Sequence, residues 1–127
     1  KYANTISLFE KADQLGAEYV LAKNINDFNL VDILNQLNDF INQHQEIYLS
    51  ICTDVFSSAY APGVSAAHPL GLEIETALTL LKHIIRSGKV VSLDLAEVSP
   101  RFDMDNSTAH LAAVIIFAVI DTLVGNE

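Results

Sequence analysis

The sequence predicts an α/β protein built on a parallel sheet, and three patterns carry that expectation. Residues 47–55 alternate apolar Ile47, Leu49, Ile51 and Val55 with Tyr48, Ser50, Cys52 and Asp54, the period of two of a strand. Residues 89–98 run Lys-Val-Val-Ser-Leu-Asp-Leu-Ala-Glu-Val, near-continuously apolar at first, as buried parallel strands are. Around these lie apolar stripes at helical spacing. The resulting order of helix, strand, helix, strand, helix, strand, helix is that of a parallel sheet joined by right-handed crossovers.

Taken in order, Ile6, Phe9, Ala12 and Leu15 form an amphipathic stripe that Gly16 stops. Residues 18–22, Glu-Tyr-Val-Leu-Ala, are a short strand candidate closed by a polar turn. Leu30, Ile33, Leu34, Leu37, Phe40 and Ile41 then mark a second helix, which Asp27 or Asn29 could cap. The strand at 47–55 leads into small residues and the turn Ala61-Pro62-Gly63, then through His68-Pro69-Leu70-Gly71 into a third helix. That helix carries Ile74, Ala77, Leu78, Leu81 and Ile85 on one stripe and ends at Ser87-Gly88. Ser99-Pro100 breaks the last strand, and a polar turn at 103–108 precedes a final helix. Residues 111–124 of that helix are apolar almost all round, which predicts deep burial on more than one side. Three strands and four helices can pack, but the burial signal of the last helix points to more sheet than is visible. Residues 1–127 are therefore expected to be the C-terminal part of a single larger domain, with more sheet upstream of Lys1.

Composition narrows the partners. Half of the 127 residues are hydrophobic, enough for a packed core. A formal net charge of −9 opposes phosphate backbones and anionic lipid, so neither nucleic acid nor a membrane surface is expected as a partner. The apolar run 111–120 is short of the roughly 20 residues a spanning helix needs. One cysteine rules out an internal disulfide and any paired-cysteine zinc motif. No charged and apolar leader pattern opens the chain, and a cytoplasmic location is the expectation. A small-molecule substrate and a homo-oligomer are further expectations, which composition does not supply.

In an open α/β sheet, ligands bind beyond the carboxyl ends of the strands. Cys52 and Asp54, two apart on a strand end, would share a face and could converge on one ion. The plainer alternative makes Cys52 a small buried apolar residue and Asp54 a turn cap. Glu97 ends the next strand on the same rim and could hold an amidine or guanidinium group, or could be a solvated strand end. Asp94, mid-strand, needs a hydrogen-bond partner if buried. The four histidines His44, His68, His83 and His110 form no cluster in sequence. The stretch 103–108 lacks the glycine and the distal acid of a calcium loop. No phosphate-binding glycine loop or serine nucleophile elbow occurs.

Ser50-Ile51-Cys52-Thr53-Asp54-Val55, followed by Ala61-Pro62-Gly63-Val64-Ser65 and Gly71-Leu72, resembles the late signature of the ureohydrolase superfamily, which contains arginase, agmatinase and formimidoylglutamase. Residues 92–103, with Thr108-Ala109 and Leu111-Ala112-Ala113, resemble that family's final strand and helix. The Ala-Pro-Gly-Val-Ser-Ala loop is most similar to the formimidoylglutamase branch. The resemblance implies a three-layer α/β/α fold around a parallel sheet, with two Mn²⁺ ions at the carboxyl ends of the strands that activate water against an amidine carbon. It implies that Asp54 is a metal ligand, that Glu97 is the catalytic carboxylate facing the nitrogen end of the substrate, and that Pro62 and Gly63 wall the substrate site. The implied substrate is N-formimidoyl-L-glutamate, cleaved to glutamate and formamide in histidine degradation. Cys52 stands where the family has an aspartate ligand, and thiolate is soft where Mn²⁺ prefers oxygen. The family's earlier Gly-Gly-x-His and Asp-Ala-His-x-Asp motifs have no counterpart at 1–45, so the missing N-terminal half of the domain would have to supply those ligands. A non-catalytic module of the same fold, another ureohydrolase such as agmatinase, and an unrelated flavodoxin-like domain are the competing readings.

Overall fold

The computed structural model of the chain describes residues 4–26 and 28–125. In chain order these form α1 (Ile6–Gln14), α2 (Leu30–Gln43), β1 (Ile47–Cys52), α3 (Ile74–Arg86), β2 (Val90–Ala96) and α4 (Ser107–Val124), with 3-10 turns at Ala22–Asn24 and Thr53–Val55. β1 and β2 pair in parallel, with α3 as the crossover that parallel neighbours require. The predicted α/β class and all four helices are present.

The register explains where the core sits. Leu49 stands opposite Leu93 and Ile51 opposite Leu95, so one face of the pair is apolar. That face packs against buried Leu81 and Ile85 of α3 and Leu111, Ile115 and Val119 of α4, with Phe56, Ala61 and Val64 from the following loop. The opposite face carries Tyr48, Ser50 and Cys52, all exposed. There the Ser50 hydroxyl donates to the Asp94 carboxylate at 2.9 Å, giving the mid-strand acid the partner its position calls for. A bulge after the Ile47–Val90 pair displaces Val91, which is exposed. At the opposite end of the pair, the Lys89 ammonium donates to the carbonyls of Ile41 and His44 at 2.7 and 2.8 Å, satisfying acceptors at the C-terminus of α2. Helix α1 ends as predicted, with Gly16 at φ 69° and Ala17 N–H donating to the Ala12 carbonyl.

Two expectations are corrected. Residues 18–22 are not a strand: the sheet has only β1 and β2 among the described residues, and this segment runs beside α2, lining a groove with Ile33, Leu37 and Phe40. β-propensity is decided by context, and here the side chains pack against α2 rather than in a ladder. Nor is α4 deeply buried all round. Leu111, Ala112, Ile115, Val119 and Thr122 are buried, while Val114, Ile116, Phe117, Ile120 and Leu123 are exposed. The sheet and α3 cover one side of the helix, and nothing in the described residues covers the rest. At 18 residues α4 is also long and apolar enough to cross a membrane by length and composition. Its buried stripe and its packing on α3 are those of a core helix. Of the two candidate caps of α2, Asn29 holds the N-cap position, but its side chain accepts from Asn26 N–H and bonds no N–H of the helix, whereas Asp27 lies outside the described residues.

Ile115 is the largest fully buried side chain, at 2% exposure. Ile115→Ala is expected to lower the unfolding free energy by about 2–5 kcal/mol. Urea denaturation would show this as a lower midpoint at unchanged slope.

Candidate functional site

The rim beyond the strand ends is assembled in three steps. β1 stops at Cys52, which pairs with Ala96, the last residue of β2. Thr53 then turns the chain out of the ladder. Its side chain is fully buried, and its hydroxyl donates to the Ala96 carbonyl at 2.9 Å, so the two strand ends stay tied beyond their last pair. In the second step, residues 56–72 fold back on the turn. Leu72 N–H donates to the Val55 carbonyl at 2.7 Å, Ser58 N–H to the His68 carbonyl at 2.9 Å, and the buried Ser57 hydroxyl to the Pro69 carbonyl at 2.9 Å. Gly71 lies against the backbone of Phe56 and Ser57 so closely that no Cβ fits. The Tyr60 hydroxyl donates to Glu73 at 2.6 Å, and that bond to a carboxylate raises the phenol pKa.

The third step joins this loop to the chain after β2. Ala61 and Val64 are buried in the core and pin the loop on either side of Gly63. Gly63 N–H donates to the fully buried Thr108 hydroxyl at 2.7 Å, and its carbonyl accepts from Ser99 N–H at 2.8 Å. A Cβ on Gly63 would stand 2.5 Å from that of Asp103, so only glycine allows the approach. Asp103 in turn caps α4 from outside the helix. Its two carboxylate oxygens accept from the N–H groups of Thr108 and Ala109 at 3.0 Å each, and one also accepts from Met104 N–H. Desolvation pushes the Asp103 carboxyl pKa up, but the hydrogen bonds from Thr108, Ala109 and Met104 outweigh it and hold the group below its ordinary value.

Each predicted site residue can now be placed. Cys52 is exposed, so it is not a small buried apolar residue. Asp54 lies in the 3-10 turn, not on the strand, because the ladder ends at Cys52; the alternation that would put both side chains on one face does not reach it. Asp54 does not cap that turn either, for its Oδ1 is buried without a hydrogen-bond partner among the described residues. A desolvated carboxylate oxygen with no donor is unfavourable unless a cation or a further donor meets it, and this orphan atom suits a metal ligand. Glu97 directly follows β2 and sits on the same rim as Cys52, as expected, with a left-handed φ of 69°. Its carboxylate accepts from the Ser65 hydroxyl at 3.2 Å. Pro62 is partly buried, while Gly63 is buried with both backbone polar groups engaged, so Gly63 holds the loop and has no backbone hydrogen bond left for a ligand.

Among the described residues no group of three or more His, Cys, Asp or Glu side chains could hold a metal ion. The histidines stay dispersed as predicted: His83 bonds Asn38 at 2.7 Å, His44 lies against the Phe40 ring, and His68 Nδ1 accepts from Leu70 N–H. Thr53, Ser65, Asp103 and Thr108, which shape the rim, carry no metal or nucleophile signal. Only the position of Asp103 and Thr108 before an apolar helix hinted at a cap.

A family model described as "Arginase family" matches residues 2–121. The chain belongs to the arginase family. Its relatives include the formimidoylglutamase of Clostridium tetani, 54% identical over 123 residues, and that of Legionella pneumophila strain Paris, 48% identical over 122 residues. These alignments take in 97% and 96% of this chain but only 36% and 38% of the relatives, so the chain spans well under half their length. In fold, it superposes on the crystal structure of formimidoylglutamase from Bacillus subtilis with a TM-score of 0.89 at 22% identity, covering 97% of this chain and 39% of that one. It also superposes on the arginase of Bacillus caldovelox with a TM-score of 0.80 at 18% identity, covering 97% and 40%. The arginase-like α/β fold predicted from the strand-end motifs is therefore established.

Because the folded-state pKa of Asp103 is lowered, the stability its cap contributes is fully present above the ordinary aspartate value of 3.8 and is lost as pH falls through the lower folded value. Asp103→Asn is expected to destabilise the protein at neutral pH. The gap between variant and parent should narrow below the ordinary aspartate pKa in denaturation curves taken from neutral to acid pH.

Proposed function

We propose that the chain is the C-terminal part of a formimidoylglutamase, which hydrolyses N-formimidoyl-L-glutamate to L-glutamate and formamide in histidine degradation in the cytoplasm. The observation that carries this reading is the rim itself, where the orphaned Asp54 oxygen and the Ser65-bonded Glu97 carboxylate each lie one residue beyond the tie that the Thr53 hydroxyl makes to the Ala96 carbonyl. The similarity to formimidoylglutamases supports the choice of substrate. The remaining ligands and the covering of α4 and of the bare sheet face would come from the other part of the same domain.

Asp54 fits a hard divalent ion such as Mn²⁺, since its buried oxygen has no other partner among the described residues. Cys52, exposed at the end of β1, would be the neighbouring donor. When bound, the metal supplies Lewis acidity and water activated near neutral pH. The protein's own part is to bind and orient. Glu97 takes the amidinium nitrogens through charge-assisted hydrogen bonds, and the clamped 61–66 loop bounds the space beside it. Thr53 keeps the ends of β1 and β2 in register, so the metal side and the amidine side of the rim hold a fixed separation.

A second reading, a non-catalytic module of the same family, is favoured by one observation: a thiol, Cys52, at the strand end where an oxygen ligand is expected. Manganese content separates the two.

The full-length protein is expected to release formamide from N-formimidoyl-L-glutamate with Mn²⁺ present and to lose that activity on chelation. Asp54→Ala should reduce kcat/KM by at least about 100-fold and lower the bound manganese. Less than one equivalent of manganese, no formamide, and activity gained by Cys52→Asp would establish the non-catalytic reading instead.

A further inference from the structure

We propose that Ser65 is a positioning residue for the Glu97 carboxylate, an inference that rests on the reading of Glu97 as the amidine contact. Glu97 adopts φ 69°, a region that residues with side chains rarely enter and that persists only where the surroundings over-determine it. Here the backbone is fixed on both sides. The preceding Ala96 carbonyl accepts the buried Thr53 hydroxyl, and two residues beyond Glu97 the Ser99 N–H is bound to the Gly63 carbonyl. The left-handed turn takes Glu97 out of the strand at the rim and leaves its side chain exposed. An exposed acid on a strained backbone gains nothing from core packing, so what sets its direction must be a specific contact.

Among the described residues, Ser65 is the one side chain hydrogen-bonded to that carboxylate, through Oε2 at 3.2 Å. Oε1 has no hydrogen-bond partner among the described residues. Ser65 follows Val64, which is buried in the core, and Gly63, which is clamped to Thr108 and against Asp103. Donor and acceptor therefore belong to one framework: the same Gly63 clamp that fixes the serine loop also holds the segment after Glu97. Ser65 occupies one oxygen and leaves the other free to take the amidinium. Both side chains are exposed, so the bond adds little to stability, and its loss should register in substrate binding.

The test uses the full-length enzyme and N-formimidoyl-L-glutamate. Ser65→Ala is expected to raise KM roughly three- to tenfold, the effect of one lost hydrogen bond, with kcat and melting temperature nearly unchanged. Ser65→Thr should restore most of the loss. In a Glu97→Gln background, Ser65→Ala should cost little more, because the carboxylate it positions is already gone. An unchanged KM in Ser65→Ala alongside an impaired Glu97→Gln would overturn the role of Ser65 alone. Losses that add in the double variant, or a fall in melting temperature that Thr does not rescue, would make Ser65 a loop-stabilising residue and overturn it too. Full activity in Glu97→Gln would remove the amidine contact, and the Ser65 role with it.

Discussion

The rim of this protein depends on the close approach of Gly63 to Asp103. The loop after β1 meets there two segments distant from it in sequence, the turn after β2 and the first turn of α4. Gly63 reaches Thr108 and Ser99 through its two backbone polar groups, and Asp103 closes the N-terminus of α4 through both carboxylate oxygens. A side chain at 63 would separate all three. Since Ser65 and Glu97 lie within two residues of groups in this junction, the geometry of the candidate site follows from a packing constraint, and the acidic cap on α4 serves the site as much as the helix.

The same sheet that is firmly tied at its carboxyl end is open elsewhere. β1 and β2 present a covered apolar face and a bare face with Tyr48, Ser50 and Cys52, and α4 exposes Phe117 and Leu123 beside its buried stripe. An apolar helix with only one side covered is costly in water, and a two-stranded sheet is marginal by itself. Under the proposed function both features have one cause: these surfaces belong inside a larger domain, of which the curated relatives contain more than this chain does.

Much of the fold was legible because periodicity and burial coincide in it. The stripes of α2 and α3 and the alternation along β1 survive in the structure nearly residue for residue. Residues 18–22 misled because their β-favouring side chains say nothing about whether a sheet edge is available. α4 differs: its all-round apolarity describes a burial that the described residues do not complete. At the site, the identities of Asp54 and Glu97 were readable from the motifs. Their backbone placement in the rim was not, because Asp54 leaves the strand through a turn and Glu97 through a left-handed residue.

By itself, the sequence determined the α/β class, the four helices, the parallel pairing and the family, since each is written in local spacing or in contiguous motifs. Tertiary structure decided which of those motif residues do what. Gly63 clamps the loop to the segments after β2, Asp54 presents an orphaned oxygen from a turn, and Ser65, with no chemical signature of its own, is bonded to Glu97. The reason is that hydrogen-bond partners 32 to 45 positions apart are chosen by how the loops pack, which no local pattern encodes.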